Sequence, residues 1–262
     1  MYVAYGHYPT RIGGIPFKGD PVNYRFWRTT PKNEWEPYTL AILQKFLNPD
    51  SIYCDIGAWI GPTVLYASKL CKQVYCFEPD YNAYRYLLWN IELNRLDNVL
   101  PFNMALSDRN GVFRMAPFGK SLGDTTSSLL NAGKPGSISV AAVTLKTAQD
   151  IALPKQIDFL KIDIEGAEFA LLPTIKEYLN EVRPIVYLST HTPYLEAAER
   201  PMRMRHLLEA LDGYDICLDE AMNQIEPGSL MKGEVINQFK ATLFLSKAQH
   251  QEHFKTSVNI LG

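Results

Sequence analysis

Short apolar runs alternate along this chain with longer stretches of helical periodicity. Ile52, Tyr53, Cys54 and Ile56 form a run too short for a helix and suited to a strand buried on both faces. Similar runs recur at 74–77, 99–103, 138–144, 157–164, 185–189, 214–218 and 241–246. Between them, Trp35, Tyr38, Leu40, Ile42, Leu43, Phe46 and Leu47 lay a broad apolar stripe on a helix predicted over 34–47. Asp80 can cap a helix over 81–94, and further helices are expected over 145–151, from Ala167 onward and over 200–211. Strands alternating with helices predict an α/β fold with a doubly wound, mostly parallel sheet.

Candidate chemistry gathers where strands end. Residues 51–68 read SIYCDIGAWIGPTVLYAS, which is strand, glycine turn and helix, with Pro62 suited to the first helical turn. Gly57, Ala58 and Gly61 offer little side-chain bulk, so a ligand is expected to approach the backbone N–H groups of this turn. A dinucleotide fingerprint would read GxGxxG, but here Trp59 stands where its second glycine makes room for a pyrophosphate. Asp55 at the strand end repels phosphate and suits an ammonium group. The next strand, VYCFEPD, ends in Glu78, about 20 residues past the turn, where an acid binds ribose hydroxyls. A ligand with an ammonium group, a ribose and no phosphate is S-adenosylmethionine.

The third acidic strand end is LKIDIEGAE, residues 160–168. Asp163 and Glu165 lie at its carboxyl edge, and Lys161 points to the same face as Asp163. Glu168 falls in a first helical turn, where a carboxylate favours the helix dipole. His191 closes the following strand. DIGAWIG, FEPD and LKIDIEGAE, in that order, resemble the FkbM family of class I methyltransferases, and the likeness runs from about Trp35 to Lys247.

The resemblance implies a Rossmann-like class I methyltransferase with a seven-stranded sheet, helices on both faces and an antiparallel last strand. It implies a methyltransferase domain over 34–262, preceded by an appendage or lid over 1–33. It places Glu36, ahead of Pro37, near the cofactor pocket with Asp55, Gly57, Ala58, Gly61, Glu78 and Pro79. Met104 and Ala105 are placed beside the adenine, and Ser127 and Ser128 in a cofactor-adjacent segment.

The activity implied is S-adenosylmethionine-dependent O-methylation of a sugar hydroxyl in a glycan, polysaccharide or glycosylated natural product. A sugar hydroxyl is a poor acid, so transfer needs a base or a divalent metal. His191 is the candidate base. Asp163 and Glu165 either ligate Mg or Mn, or bind the cofactor's ammonium group and the acceptor hydroxyls. The residues leave both uses open.

Composition narrows the classes. The chain has 262 residues, 47% hydrophobic, with a net charge of −2 and no long basic run, which argues against a nucleic-acid partner. Cys54, Cys71, Cys76 and Cys217 form no CxxC pair and read as buried thiols of a reducing compartment. No apolar stretch approaches the roughly 20 residues of a membrane span, so a cytoplasmic location is expected. Two competing readings are a nucleotide-dependent oxidoreductase, opposed by Trp59, and a non-catalytic cofactor-binding domain of a larger glycan-synthesis protein. A homo-oligomer is equally compatible with the sequence. Residues 1–33 are rich in glycine, proline and aromatics. Tyr5, Tyr8, Phe17, Tyr24 and Trp27 either stack on a sugar or, more simply, pack against the domain. Residues 221–239 are expected to be irregular and to cover the substrate side.

Overall fold

A computed structural model describes residues 6–32, 34–117, 127–128 and 137–255. The chain begins with a hairpin, β1 (Tyr8–Ile12) and β2 (Ile15–Gly19), turning at Gly13 and Gly14, followed by the one-turn helix α1 (Tyr24–Trp27). Helix α2 (Pro37–Phe46) leads into β3 (Ile52–Ile56), α3 (Pro62–Ala67), β4 (Gln73–Phe77), α4 (Tyr81–Leu93) and β5 (Val99–Phe102). Four short strands then build a side sheet: β6 (Ala105–Leu106), β7 (Gly111–Pro117), β8 (Ser127–Ser128) and β9 (Ile138–Val143). The chain returns through α5 (Leu145–Ile151), β10 (Phe159–Ile162), α6 (Glu168–Thr174), α7 (Lys176–Val182), β11 (Ile185–Thr190), α8 (Arg200–Ala210), β12 (Ile216–Asp219), β13 (Lys240–Leu245) and α9 (Lys247–Lys255).

The central sheet has seven strands in the order β12-β13-β11-β10-β3-β4-β5. Strands β11, β10, β3, β4 and β5 are parallel; β13 runs antiparallel between β11 and β12. This is the doubly wound, Rossmann-like arrangement expected of the sequence. The strand residues divide by parity between two cores, as a period of two requires. Cys54, Ile56, Leu160, Ile162, Val186 and Leu188 pack with α5, α6, α7 and α8, whereas Tyr53, Val74, Cys76, Phe159 and Tyr187 pack with α2, α3 and α4. All four cysteines are buried and free. Among the described residues, no helix is long and apolar enough to cross a membrane.

Two details differ from the sequence expectations. Helix α2 starts at Pro37 rather than residue 34, because Glu36 takes a left-handed conformation (φ 40°) and holds the N-cap position. Strand β7 falls within a stretch where the sequence shows only a turn at Asn110-Gly111. Its alternation is weak: Val112 is 76% exposed, and among the described residues Phe113, Met115, Ile138 and Val140 make a small core there. In the N-terminal hairpin and α1, Ile12, Phe17 and Trp27 are buried in the same core as α2, α3 and α4.

The glycine turn between β3 and α3 is not built as the spacing suggested. The N–H groups of Gly57 and Ala58 both donate to the Phe77 carbonyl at 3.0 Å, and that of Gly61 to the Ala58 carbonyl. The Trp59 N–H goes to Glu78 Oε2 at 2.8 Å. The turn therefore spends these four donors inside the fold rather than on a ligand. Gly57 (φ 92°) is glycine for a packing reason: a Cβ there would lie 1.9 Å from the Asp163 carbonyl oxygen, where the ends of β3 and β10 meet. At Gly61 (φ 92°) a Cβ would strike Leu87 of α4 at 2.5 Å. Gly57→Ala combines left-handed strain with a backbone clash and is expected to destabilise the protein by about 3 kcal/mol or more. Urea denaturation would show it; a loss under about 0.5 kcal/mol, the range of ordinary surface changes, would mean that the two strand ends can part freely.

Candidate active site

Strand pairing brings the charged residues together. Lys161 of β10 stands opposite Asp55 of β3 on one side and Tyr187 of β11 on the other. Asp55 is fully buried: its Oδ2 accepts the Tyr53 hydroxyl at 2.9 Å and the Thr63 hydroxyl at 2.5 Å, and its Oδ1 lies 3.2 Å from Lys161 Nζ. Lys161 Nζ also reaches Asp163 Oδ2 at 3.4 Å. Burial works against charge on this lysine, but Asp55, Asp163 and Glu36 outweigh it and hold its pKa above the ordinary range. The ammonium group that Asp55 binds is therefore Lys161's own.

The turn after β10 is left-handed at Glu165 (φ 52°) and Gly166 (φ 99°). It carries Asp163 and Glu165 toward His191, which follows β11. His191 Nε2 lies 3.5 Å from Asp163 Oδ1 and 3.5 Å from Glu165 Oε2. On its other side, Nδ1 lies 3.2 Å from Glu168 Oε1, which also accepts the His191 backbone N–H at 2.7 Å. Glu168 Oε2 accepts the Gly166 N–H at 2.8 Å. The Tyr194 ring stacks on the imidazole (centroids 5.7 Å apart, 8° between planes) and Phe239 meets it edge-on. Burial alone would lower the His191 pKa, but Glu168, Asp163 and Glu165 together raise it to about 9. Burial raises the Glu165 carboxyl to about 7 against the pull of His191.

These groups face a cleft of about 590 Å³ at the carboxyl edge of the sheet. Acidic and basic side chains on its wall include Glu36, Lys161, Asp163, Glu165, His191, Glu220 and Lys240. Aromatic walls come from Phe26, Trp35, Tyr38, Trp59 and Phe239. Phe26 packs edge-on against Trp35 at 5.4 Å and Trp59 at 4.7 Å. Glu36 stands at the open side, yet crowding by protein, opposed by Lys161, raises its carboxyl above the ordinary value. Six non-glycine residues among those described have positive φ, and three of them, Glu36, Trp59 and Glu165, line this cleft.

The sequence candidates separate into groups. Glu36, Gly57, Ala58, Asp163, Glu165 and His191 line the cleft. Asp55 and Gly61 sit behind it. Glu78 is buried, accepting the Trp59 N–H on one oxygen and the Asp80 N–H on the other (2.8 Å each), so it staples the glycine turn to the start of α4. Burial raises its carboxyl to about 7 even with those two donors. The Pro79 carbonyl accepts the Asn103 side-chain N–H, Met104 packs against the core, and Ala105 is buried in β6. The backbone of Ser127 and Ser128 pairs with β7; their side chains, like Tyr5, lie outside the described residues. Of the other N-terminal aromatics, Phe17 and Trp27 are core, and Tyr8 and Tyr24 pair with each other at 6.4 Å. Among described residues 6–32, Phe26 is the ring that lines the cleft, and no periodicity distinguishes it. Glu168, read from the sequence as a dipole residue, holds the imidazole.

The chain belongs to the FkbM methyltransferase domain family, whose model matches residues 55–216, more than half of its length. It is similar to several solved structures. The FkbM methyltransferase of Methylobacillus flagellatus KT shares 14% identity at a TM-score of 0.45, with 84% of this chain and 53% of that one covered. An rRNA methylase of Streptococcus thermophilus shares 14% at 0.44, over 80% and 95%. TYW2 of M. jannaschii, in complex with AdoMet, shares 16% at 0.42, over 92% and 87%. Among curated proteins, no significant match exists.

The raised pKa of His191 carries a sign. Its cation stabilises the folded state fully below about 6.5, the unfolded value, and that contribution is lost as pH rises through about 9. The melting-temperature gap between the wild type and His191→Ala is therefore expected to be widest near pH ~6 and to shrink toward pH ~10. A gap that stays constant would show that the imidazole is not charged among these carboxylates.

Proposed function

We propose that the protein transfers the methyl group of S-adenosylmethionine to a hydroxyl of a sugar unit in a glycan, polysaccharide or glycosylated natural product. The observation that carries this reading is the pairing, in one cleft, of a proton-holding imidazole flanked by carboxylates with exposed aromatic faces. Tyr38 is 49% and Phe239 54% exposed on its wall. Aromatic faces stack on the apolar face of a pyranose, and carboxylates accept from neighbouring hydroxyls.

S-adenosylmethionine supplies an electrophilic methyl group on a positively charged sulfur. The acidic lining fits a cationic ligand: Glu36 and Asp163 face the cleft, while Lys161 is already held by two carboxylates. The same lining disfavours phosphate-rich acceptors such as nucleic acid. Asp163, Glu165 and His191 each offer a ligand atom within 4.8 Å of the others, and two carboxylates with one imidazole suit Mg or Mn. Such a metal would polarise the acceptor hydroxyl and lower its pKa. Without one, His191 Nε2 is the group placed to take the hydroxyl proton, and Asp163 and Glu165 stabilise the resulting cation.

Calorimetry with S-adenosylmethionine and a methyl-transfer assay on neutral glycosides, each with and without EDTA, test the reading. A base whose pKa is raised to about 9 is active only once deprotonated, so kcat/KM should rise with pH through that value rather than near 6.5. His191→Ala should lose that limb and about 10²–10⁴-fold in kcat, with cofactor affinity nearly unchanged. Full turnover in the variant moves the base to Asp163 or to a metal-bound hydroxyl, which EDTA sensitivity tells apart. Binding without transfer to any acceptor favours a non-catalytic cofactor-binding domain.

A further inference from the structure

We infer that Glu168 is the positioning residue for His191: its buried carboxylate fixes the imidazole as the Nδ1–H tautomer, so that Nε2 is the nitrogen presented to the reacting groups. Glu168 is fully buried, sits at the first residue of α6 and has no access to the cleft. Its two oxygens accept two backbone N–H groups from two separate strand ends, and one of them also faces the imidazole. Oε2 takes the Gly166 N–H at 2.8 Å; Oε1 takes the His191 backbone N–H at 2.7 Å and faces Nδ1 at 3.2 Å. An ionised carboxylate only accepts, so a proton must sit on Nδ1 for the last contact to be a hydrogen bond. The opposite nitrogen then projects toward Asp163 Oδ1 and Glu165 Oε2, 3.5 Å from each.

The backbone contact matters as much as the ring contact. By holding the Gly166 and His191 N–H groups together, Glu168 ties the turn that carries Glu165 to the end of β11. The distance between imidazole and carboxylates is thus set by a group that touches neither acceptor nor cofactor. The requirement is the same whether Nε2 accepts a proton or ligates a cation, since both uses need that nitrogen bare and aimed. Helix-dipole stabilisation alone would explain an acid at this position, but would not require a second strand's histidine on its oxygen.

This inference rests on the proposed methyl transfer only for its activity arm. The first arm uses wild-type protein with ¹⁵N-labelled histidine at a pH near 10, above the His191 value of about 9. Nitrogen–proton correlation spectra, assigned by comparison with His191→Ala, should show the Nδ1–H tautomer. The Nε2–H tautomer would overturn the inference whatever reaction the protein catalyses. The second arm compares Glu168→Gln and Glu168→Asp. Glu168→Gln keeps the shape but offers one acceptor oxygen for three N–H groups. It should mix the tautomers and lower kcat, or the affinity for Mn, by about 10–100-fold, with S-adenosylmethionine affinity near that of the wild type. Unchanged tautomer and turnover in a folded Glu168→Gln would also overturn it. If Glu168→Gln does not fold, Glu168→Asp and the wild-type spectrum decide. If no acceptor is methylated, the spectra and Mn titration still decide the role of Glu168, so its failure is separate from a failure of the functional reading.

Discussion

The interaction on which the rest of the structure depends is the buried row Asp55–Lys161–Asp163. A lysine ammonium at the centre of a parallel sheet is tolerable only if its charge is matched at close range, because removing one partner leaves an uncompensated buried ion. Asp55 on the neighbouring strand and Asp163 two residues ahead supply the match at 3.2 and 3.4 Å. The row continues through His191 to Glu168, so signs alternate over five side chains from three strands and a helix start. Replaced by apolar residues, such a row could be no less stable. Its consequence is positional: it brings the carboxyl ends of β3, β10 and β11 to fixed separations and aims one carboxylate oxygen of Asp163 at the imidazole.

Backbone geometry serves the same end. Gly57 lets β3 pass against the Asp163 carbonyl, and Glu165 and Gly166 turn the chain left-handed so that the next carboxylate reaches His191. Left-handed non-glycine residues cost about 1–3 kcal/mol each. Glu36, Trp59 and Glu165 all sit on the cleft, where that strain is set against the placement of two acids and an aromatic wall. Preorganised groups need not be gathered when a ligand arrives, which is where positioning contributes to rate.

Much of this was legible in the sequence, for identifiable reasons. Parallel strands buried on both faces give unbroken apolar runs, so β3, β4, β10 and β11 stand out, and their acidic ends mark the edge where ligands bind. Asp163, Glu165 and His191 were readable because each follows such a run. The turn at Gly57 was legible as a turn but not in its purpose: the glycine answers to a carbonyl on a strand 106 positions along, Lys161 being the partner of Asp55 at that separation. Glu168 looked like a dipole residue because sequence shows a helix start and hides the neighbouring strand. Strand β7 is not marked in the sequence because an apolar residue, Val112, stands on its solvent side while Phe113 and Met115 pack inward.

The N-terminal aromatics show how far composition can mislead about which ring matters. Phe17 and Trp27 are consumed by the core, and the hydrogen bonds that seat them also fix their neighbour. Asp20, fully buried, accepts the Trp27 indole N–H at 3.0 Å and the Asn23 N–H at 2.8 Å. Asn90 of α4 accepts the Asp20 N–H at 2.7 Å and donates to the Ile60 carbonyl at 2.9 Å. The hairpin is thereby bonded, through one asparagine, to the glycine turn itself. Phe26 lies between these anchors and meets Trp59 edge-on, so the aromatic wall of the cleft is referenced to the same turn that the charged row positions from the other side. A wall held by buried hydrogen bonds at both ends behaves as part of the scaffold, so it need not be assembled when a ligand enters the cleft.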